Sequence, residues 1–311
     1  MVGRVRTALI LAAACMPSCA SAYNYMKPDG PRYAGGLGVP TDPDPAIHVV
    51  TFNVAFGKHV DRAIEVLRQD PLRGADVVTL QEMDAPGVEA VAEALDMNYV
   101  YYSVSRHPKT GRDFGNAILS PWPMEASRKI LLPHPSWTRR QARAAVAATV
   151  RVDGLAVRVY SIHLGSPLGN SGSQRREQAD VILADARSTR DPVILAGDFN
   201  SKGLGKYIQT HGFGWPTKSV GRTVGLFSFD HIFTRGLRLR DPRSAGVARE
   251  GPKASDHSPV WVELVPYRPP AHHGAMIAVG PTAPPARQAP SGAAPPPFSR
   301  GSSVEREVGL P

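Results

Sequence analysis

Short apolar runs recur through the middle of the chain: Ile47 to Phe52, Val77 to Leu80, Tyr99 to Ser103, Ala117 to Leu119, Val193 to Leu195 and Val260 to Leu264. Runs of this length bounded by polar and turn residues predict buried strands. Val146 to Val152 and Leu155 to Ile162 flank Asp153-Gly154, and an Asp-Gly pair between two such runs predicts a hairpin, because both residues tolerate positive φ. Helical spacing lies between other runs. Val60, Ile64 and Leu67 share one face, as do Val88, Val91 and Leu95, and Ala179, Ile182 and Ala186. Strands and helices mix without strict alternation, which predicts a mixed-sheet α/β or α+β sandwich rather than a regular doubly wound fold.

The ends of the chain lack these patterns. Arg4 and Arg6 precede the apolar run Ala8 to Ala14 and then the small residues Ala20-Ser21-Ala22, the layout of a secretory signal peptide over residues 1–22. The expected destination is therefore the periplasm or the exterior. Cleavage after Ala22 removes both cysteines, Cys15 and Cys19, so the mature chain has neither disulfides nor thiolate metal ligands. A variant reading attaches a lipid to Cys19, although Met16-Pro17-Ser18 matches a lipoprotein box poorly. Residues 23–46 are rich in Gly, Pro and Asp and read as a linker. Residues 266–311 repeat Pro, Ala, Gly and Ser and read as a disordered tail. One domain is left over residues 47–265, and the 42% hydrophobic content suffices for its core. The net charge of +9 favours polyanionic partners through long-range attraction.

Chemistry-bearing residues sit where the strands end, positions at which a rigid scaffold exposes polar groups. They are Asn53, Glu82, His163, Asp198, Asn200 and Asp230, joined by Asp256 and His257 just before the last strand. Singly, each has a bland explanation as a turn or cap residue. Jointly they form a cluster of oxygen ligands and imidazoles that suits Mg²⁺ or Mn²⁺ better than zinc.

The segments TFNVAFG, DVVTLQEMD, GNAILS, YSIHLG, ILAGDFNS, FDHIF and ASDHSPV occur in that order from Val50 to Val260. The pattern resembles the endonuclease/exonuclease/phosphatase superfamily of DNase I-like metal-dependent phosphoesterases. The resemblance implies a four-layer α/β/β/α sandwich of two mixed sheets flanked by helices. It implies metal ligation by Glu82 with Asn53 and Asp256, and general acid-base work by His257 oriented by Asp230. Asp198 and Asn200 resemble the pair that positions or deprotonates the attacking water and binds phosphate, and His163 resembles a phosphate-contacting residue. Phosphodiester hydrolysis needs those same functions: a nucleophile made from water, charge relief on phosphate oxygens and stabilisation of the departing oxygen.

Substrate choice is less legible. Arg106, His107, Lys109 and Arg112 form one basic loop and Arg139, Arg140 and Arg143 another, a candidate polyanion-binding rim. Arg112, Asn116 and Arg143 are the candidate substrate contacts. A nuclease is expected first. A phospholipid or sphingolipid phosphodiesterase is the alternative and would need an exposed apolar wedge. Its candidates are Pro121-Trp122-Pro123, His134-Pro135-Ser136-Trp137 and Gly212-Phe213-Gly214-Trp215. A non-catalytic binding module with the same fold is the third reading. Nothing in the sequence points to a protein partner or fixes an oligomeric state.

Overall fold

The computed structural model describes residues 21–267 except 37, 41–43, 108–109, 250 and 252. Its elements run β1 (Tyr23–Asn24), β2 (Arg32–Gly35), β3 (Ile47–Asn53), α1 (Val60–Leu67), β4 (Val77–Met83), α2 (Ala85–Ala94), β5 (Asn98–Arg106), β6 (Asp113–Ser120) and β7 (Met124–Leu131). They continue β8 (Ala144–Val152), β9 (Leu155–His163), α3 (Gly172–Ala186), β10 (Val193–Asp198), α4 (Leu204–Gln209), β11 (Asp230–Arg235), β12 (Leu237–Leu239), β13 (Ala245–Val247) and β14 (Val260–Pro266). The signal-peptide and tail expectations fall, but for Ser21, Ala22, Pro266 and Tyr267, outside the described residues.

Two mixed sheets face each other. The first has the order β1-β5-β6-β4-β3-β14-β12, with β2 on β5 and β13 on β14, and the second runs β11-β10-β9-β8-β7. Alternation along each strand builds the layers. Val49 of β3, Val159 of β9 and Ile194 of β10 point into the core between the sheets. Their neighbours Val50, Tyr160 and Leu195 point outward, the first onto α1 and α2, the others onto α3 and α4. The result is the α/β/β/α arrangement that the resemblance implies. Asp153 and Gly154 both take positive φ, 45° and 78°, and close the β8–β9 hairpin. Helix starts follow the local sequence. Asp84 caps α2 by accepting from the Gly87 N–H, and Ser171 with Gln174 forms a capping box on α3, each cap contributing about 1 kcal/mol.

Residues 23–46 are not a plain linker. β1 and β2 pair antiparallel with β5, and the buried Lys129 ammonium donates to the carbonyls of Tyr25, Gly30 and Ser103. Backbone pairing at a sheet edge needs no apolar periodicity, which is why the composition concealed it.

Candidate active site

The site forms at one end of the sandwich, where β3, β4, β9 and β10 finish and β11 begins. Asp198 ends β10 and is in register with His163 on parallel β9 and with Asp230 on antiparallel β11. Gly197 makes that possible. A Cβ there would lie 2.0 Å from the Ile162 carbonyl oxygen, so only glycine lets β9 and β10 close up beneath the two polar side chains. Glu82 is aimed by an irregularity: the β4–β6 register shifts between Leu80 and Met83, and Glu82 takes φ of 59°. Asn200 takes φ of 50°. Left-handed backbone at two non-glycine residues of one site is strain of roughly 1–2 kcal/mol apiece that the surrounding fold maintains.

Asp198 is the hub. Its Oδ2 accepts from Asn53 Nδ2 at 3.1 Å and Asn200 Nδ2 at 3.2 Å, and its Oδ1 from the Asn200 N–H at 2.8 Å. His163 Nε2 lies 3.5 Å from the same Oδ2 and 3.7 Å from Glu82 Oε1, and His257 Nε2 lies 4.0 Å from it. His257 Nδ1 pairs with Asp230 Oδ2 at 2.8 Å. Burial opposes the charge on His257, but Asp230, its hydrogen bond, Asp198 and Asp256 push its pKa up to about 10. Burial pushes Asp198 well above the usual carboxylate range, reinforced by the Asp230 charge. His163 goes the other way. Burial, then Arg143 and His257, hold it neutral.

Arg143, just ahead of β8, is buried, and its Nε and Nη1 have no hydrogen-bond partner among the described residues. Burial lowers its pKa against the attraction of Glu82 and Asp198. Phe114 lies against it, the guanidinium carbon 5.1 Å from the ring centroid. A buried guanidinium with two unmatched donors beside a catalytic cluster calls for an anion.

Burial raises the Glu82 pKa, offset in part by Arg143 and Asn53, so this carboxylate lacks a full counter-charge. Glu82 and the exposed Asp256 line one cavity of about 390 Å³, and Asn53 donates to Glu82 at 3.3 Å. That oxygen set fits a hard divalent cation. Asp198, Asp230 and His257 also bring one ligand atom each within 4.8 Å of one another, a spacing that could hold an ion. His257 Nδ1 and Asp230 Oδ2 already pair with each other, and an imidazole held between two carboxylates in this way is also able to pass a proton.

Of the remaining candidates, Arg112 is paired with Asp84, its Nη2 2.5 Å from the carboxylate, and therefore braces the start of α2. Asn116 is buried and donates to the Ala144 and Ser161 carbonyls, tying β6 to β8 and β9. Lys109 lies outside the described residues. Trp122 and Trp215 are buried, Trp122 donating to Asp76, whereas Trp137 is 60% exposed. Two supports lie outside the set of candidate site residues. Thr223 Oγ1 accepts from the N–H groups of Phe229 and Asp230 and fixes the start of β11. Gln178 accepts from Gly165 and donates to Pro133 and His134, clamping the loops beside His163. A buried Thr ahead of a strand carries no distinctive pattern. Gln178 stands in an Arg-x-x-Gln spacing with Arg175 and was the more visible of the two.

A sequence model of the Endonuclease/Exonuclease/phosphatase family matches residues 50–257. No curated protein matches the chain. Among solved structures, an endonuclease/exonuclease/phosphatase from Beutenbergia cavernae DSM 12333 is similar with TM-score 0.60 and 22% identity, over 71% of this chain and 72% of that one. D. rerio TDP2 complexed with single strand DNA product gives TM-score 0.56 at 18% identity, over 71% and 99% of the two chains. The Bacteroides thetaiotaomicron VPI-5482 mannosyl-6-phosphatase Bt3783 gives 0.53 at 18%, over 70% and 99%. At these identities the likeness is one of fold.

Proposed function

Because this chain belongs to the endonuclease/exonuclease/phosphatase family, we propose that it is an exported, divalent-metal-dependent phosphodiesterase that cleaves nucleic acid by in-line attack of water. The observation that carries the reading is the buried, unmatched Arg143 guanidinium beside Asp198 and the His257–Asp230 pair. Similar folds whose names include a DNA product and a phosphorylated sugar support phosphate-ester chemistry. The N-terminal Arg4, Arg6 and Ala8 to Ala14 pattern supports export.

In this reading Asp198, held by Asn53 and Asn200, orients the water and accepts its proton as oxygen bonds to phosphorus. His257, kept protonated by Asp230, and Arg143 face the charge that grows on the phosphate. His163 stays neutral and donates a hydrogen bond to a phosphate oxygen. The bond to the departing oxygen breaks in the same displacement, that oxygen taking the proton from His257 Nε2, with no covalent link to the protein. Glu82, Asp256 and Asn53 would hold Mg²⁺ or Mn²⁺, which would supply further charge relief to the phosphate.

The test is metal-dependent turnover on DNA, RNA, sphingomyelin and a simple phosphodiester, with Asp198→Ala and His257→Ala alongside. Both variants should fold and lose hydrolysis. Full activity in both sinks the site assignment, and an inert wild-type protein supports the binding-module reading. Exposed Trp137 and Leu168 favour lipid as the second reading, and turnover of sphingomyelin alone would establish it.

A further inference from the structure

The catalytic end has two chemically different flanks. Over the first sheet, the cavity that Glu82, Asp256 and His257 share is also lined by Lys58, His59, Arg62 and Lys253. Arg62 donates to the Lys253 carbonyl at 3.4 Å and links α1 to the loop carrying Asp256 and His257. Asp61, on the same first turn of α1, does not line the cavity. The cations thus border the site on the side where an anion would meet no acidic side chain other than the proposed metal ligands.

The other flank, the turn ahead of β11 that pairs with His257, is aromatic. Phe227 and Phe229 are stacked, centroids 5.0 Å apart and planes within 13°. Phe227 is 58% exposed, so one ring face rests on Phe229 and the other is turned to solvent. Single exposed aromatics are common and need no explanation. This one is different because the stack is tied to the His257–Asp230 pair. The Val224–Phe227 turn is closed by backbone bonds in both directions, the Ser258 N–H donates to the Thr223 carbonyl, and Thr223 Oγ1 holds Phe229 and Asp230. Phe229 precedes Asp230 directly, and its carbonyl accepts from the N–H of Phe199, next to Asp198.

A flat ring face on a turn that pairs with His257, next to cations lining the cavity that His257 also borders, matches a chain that alternates anionic links with planar bases. From these flanks we propose that the substrate is single-stranded nucleic acid, an unpaired base stacking on Phe227 and an adjacent backbone phosphate lying among Lys58, Arg62 and Lys253. The inference rests on the nuclease reading above. In a duplex, neighbouring bases cover both faces of each base, and the Phe227 face would go unused. A bilayer asks for a contiguous apolar knob. Here Trp137 and Leu168 lie on two loops joined by the Trp137 N–H donating to the Gly169 carbonyl, whereas the Leu226-Phe227 turn belongs to the separate loop ahead of β11.

The experiment compares kcat/KM on a single-stranded oligonucleotide, the same strand annealed to its complement, and bis(p-nitrophenyl) phosphate, with binding to phosphatidylglycerol vesicles measured in parallel. Wild-type protein should prefer the single strand to the duplex by about tenfold or more. Phe227→Ala should cut the single-strand to simple-diester ratio by about tenfold, mainly through KM. Phe227→Trp should restore it and Phe227→Leu should not. Lys58→Ala with Lys253→Ala should lower the salt slope of single-strand binding by about 0.7. Equal rates on duplex and single strand, or an undiminished preference in Phe227→Leu, would overturn the inference and leave the nuclease reading intact. Turnover of the simple diester with neither oligonucleotide cut would remove both. Vesicle binding lost in Phe227→Ala and kept in Phe227→Leu would replace the strand with a lipid surface.

Discussion

Replacing Arg143 by Met separates a functional guanidinium from a structural one. The side chain keeps its length and its packing on Phe114, and loses its charge. Taking a guanidinium out of water costs several kcal/mol even after relaxation. Attraction to Glu82 and Asp198 and the contact with the Phe114 ring return part of that. The unmatched Nε and Nη1 return nothing in the free protein. These terms nearly cancel, so the unfolding free energy of Arg143→Met should lie within about 1 kcal/mol of wild type or above it. Activity should move far more. One lost donor to the developing phosphate charge costs about 10²–10³ in turnover. A third reading comes from ligand-induced stabilisation: inorganic phosphate at about a hundred times its Kd should add about 2.7 kcal/mol to wild type, roughly 5–10 °C in Tm. The variant should show little of this. Chemical denaturation, steady-state kinetics and melts with and without phosphate give the three numbers. A loss of about 3 kcal/mol or more in stability, with kcat/KM preserved in the folded fraction, would refute the argument and make Arg143 a structural ion.

Two further outcomes concern the scaffold. Lys129→Met leaves the Tyr25, Gly30 and Ser103 carbonyls without their shared donor; about 2–4 kcal/mol of stability should go, with faster proteolysis between residues 23 and 35, and an unchanged denaturation midpoint would contradict this. His231 is wholly buried among Phe199, Trp215 and Phe233, and burial holds its pKa down to about 4. The unfolded chain titrates near 6.5 and takes up the extra proton first, so this residue's contribution is complete above about pH 6.5. It is lost as pH falls toward 4, by about 3 kcal/mol. In His231→Phe that one-proton slope should vanish from the stability curve, and its persistence would assign the dependence to another group.

Much of this protein was already legible in its sequence. Short continuous apolar runs announced which strands are buried on both faces, because a strand packed between two layers has no side on which polar residues can meet water. Asp153-Gly154 fixed a hairpin, and Gly-Asp-Phe-Asn announced a polar strand end, because those residue types tolerate backbone that others do not. What the sequence could not contain is anything created by approach across the fold. β1 and β2 are held by backbone pairing and by Lys129, which is distant in sequence. Arg112 looked like a substrate contact and is taken up by Asp84. Arg143 was a candidate substrate contact by sequence, but its burial and its pairing with the charges of Glu82 and Asp198 arise only from the fold around β8. The Phe227–Phe229 stack gained its position only when Thr223 tied its turn to Asp230. Local patterning depends on a few consecutive residues and is written in their order; charge, burial and exposure at the site depend on which distant groups meet, and only the tertiary structure sets that.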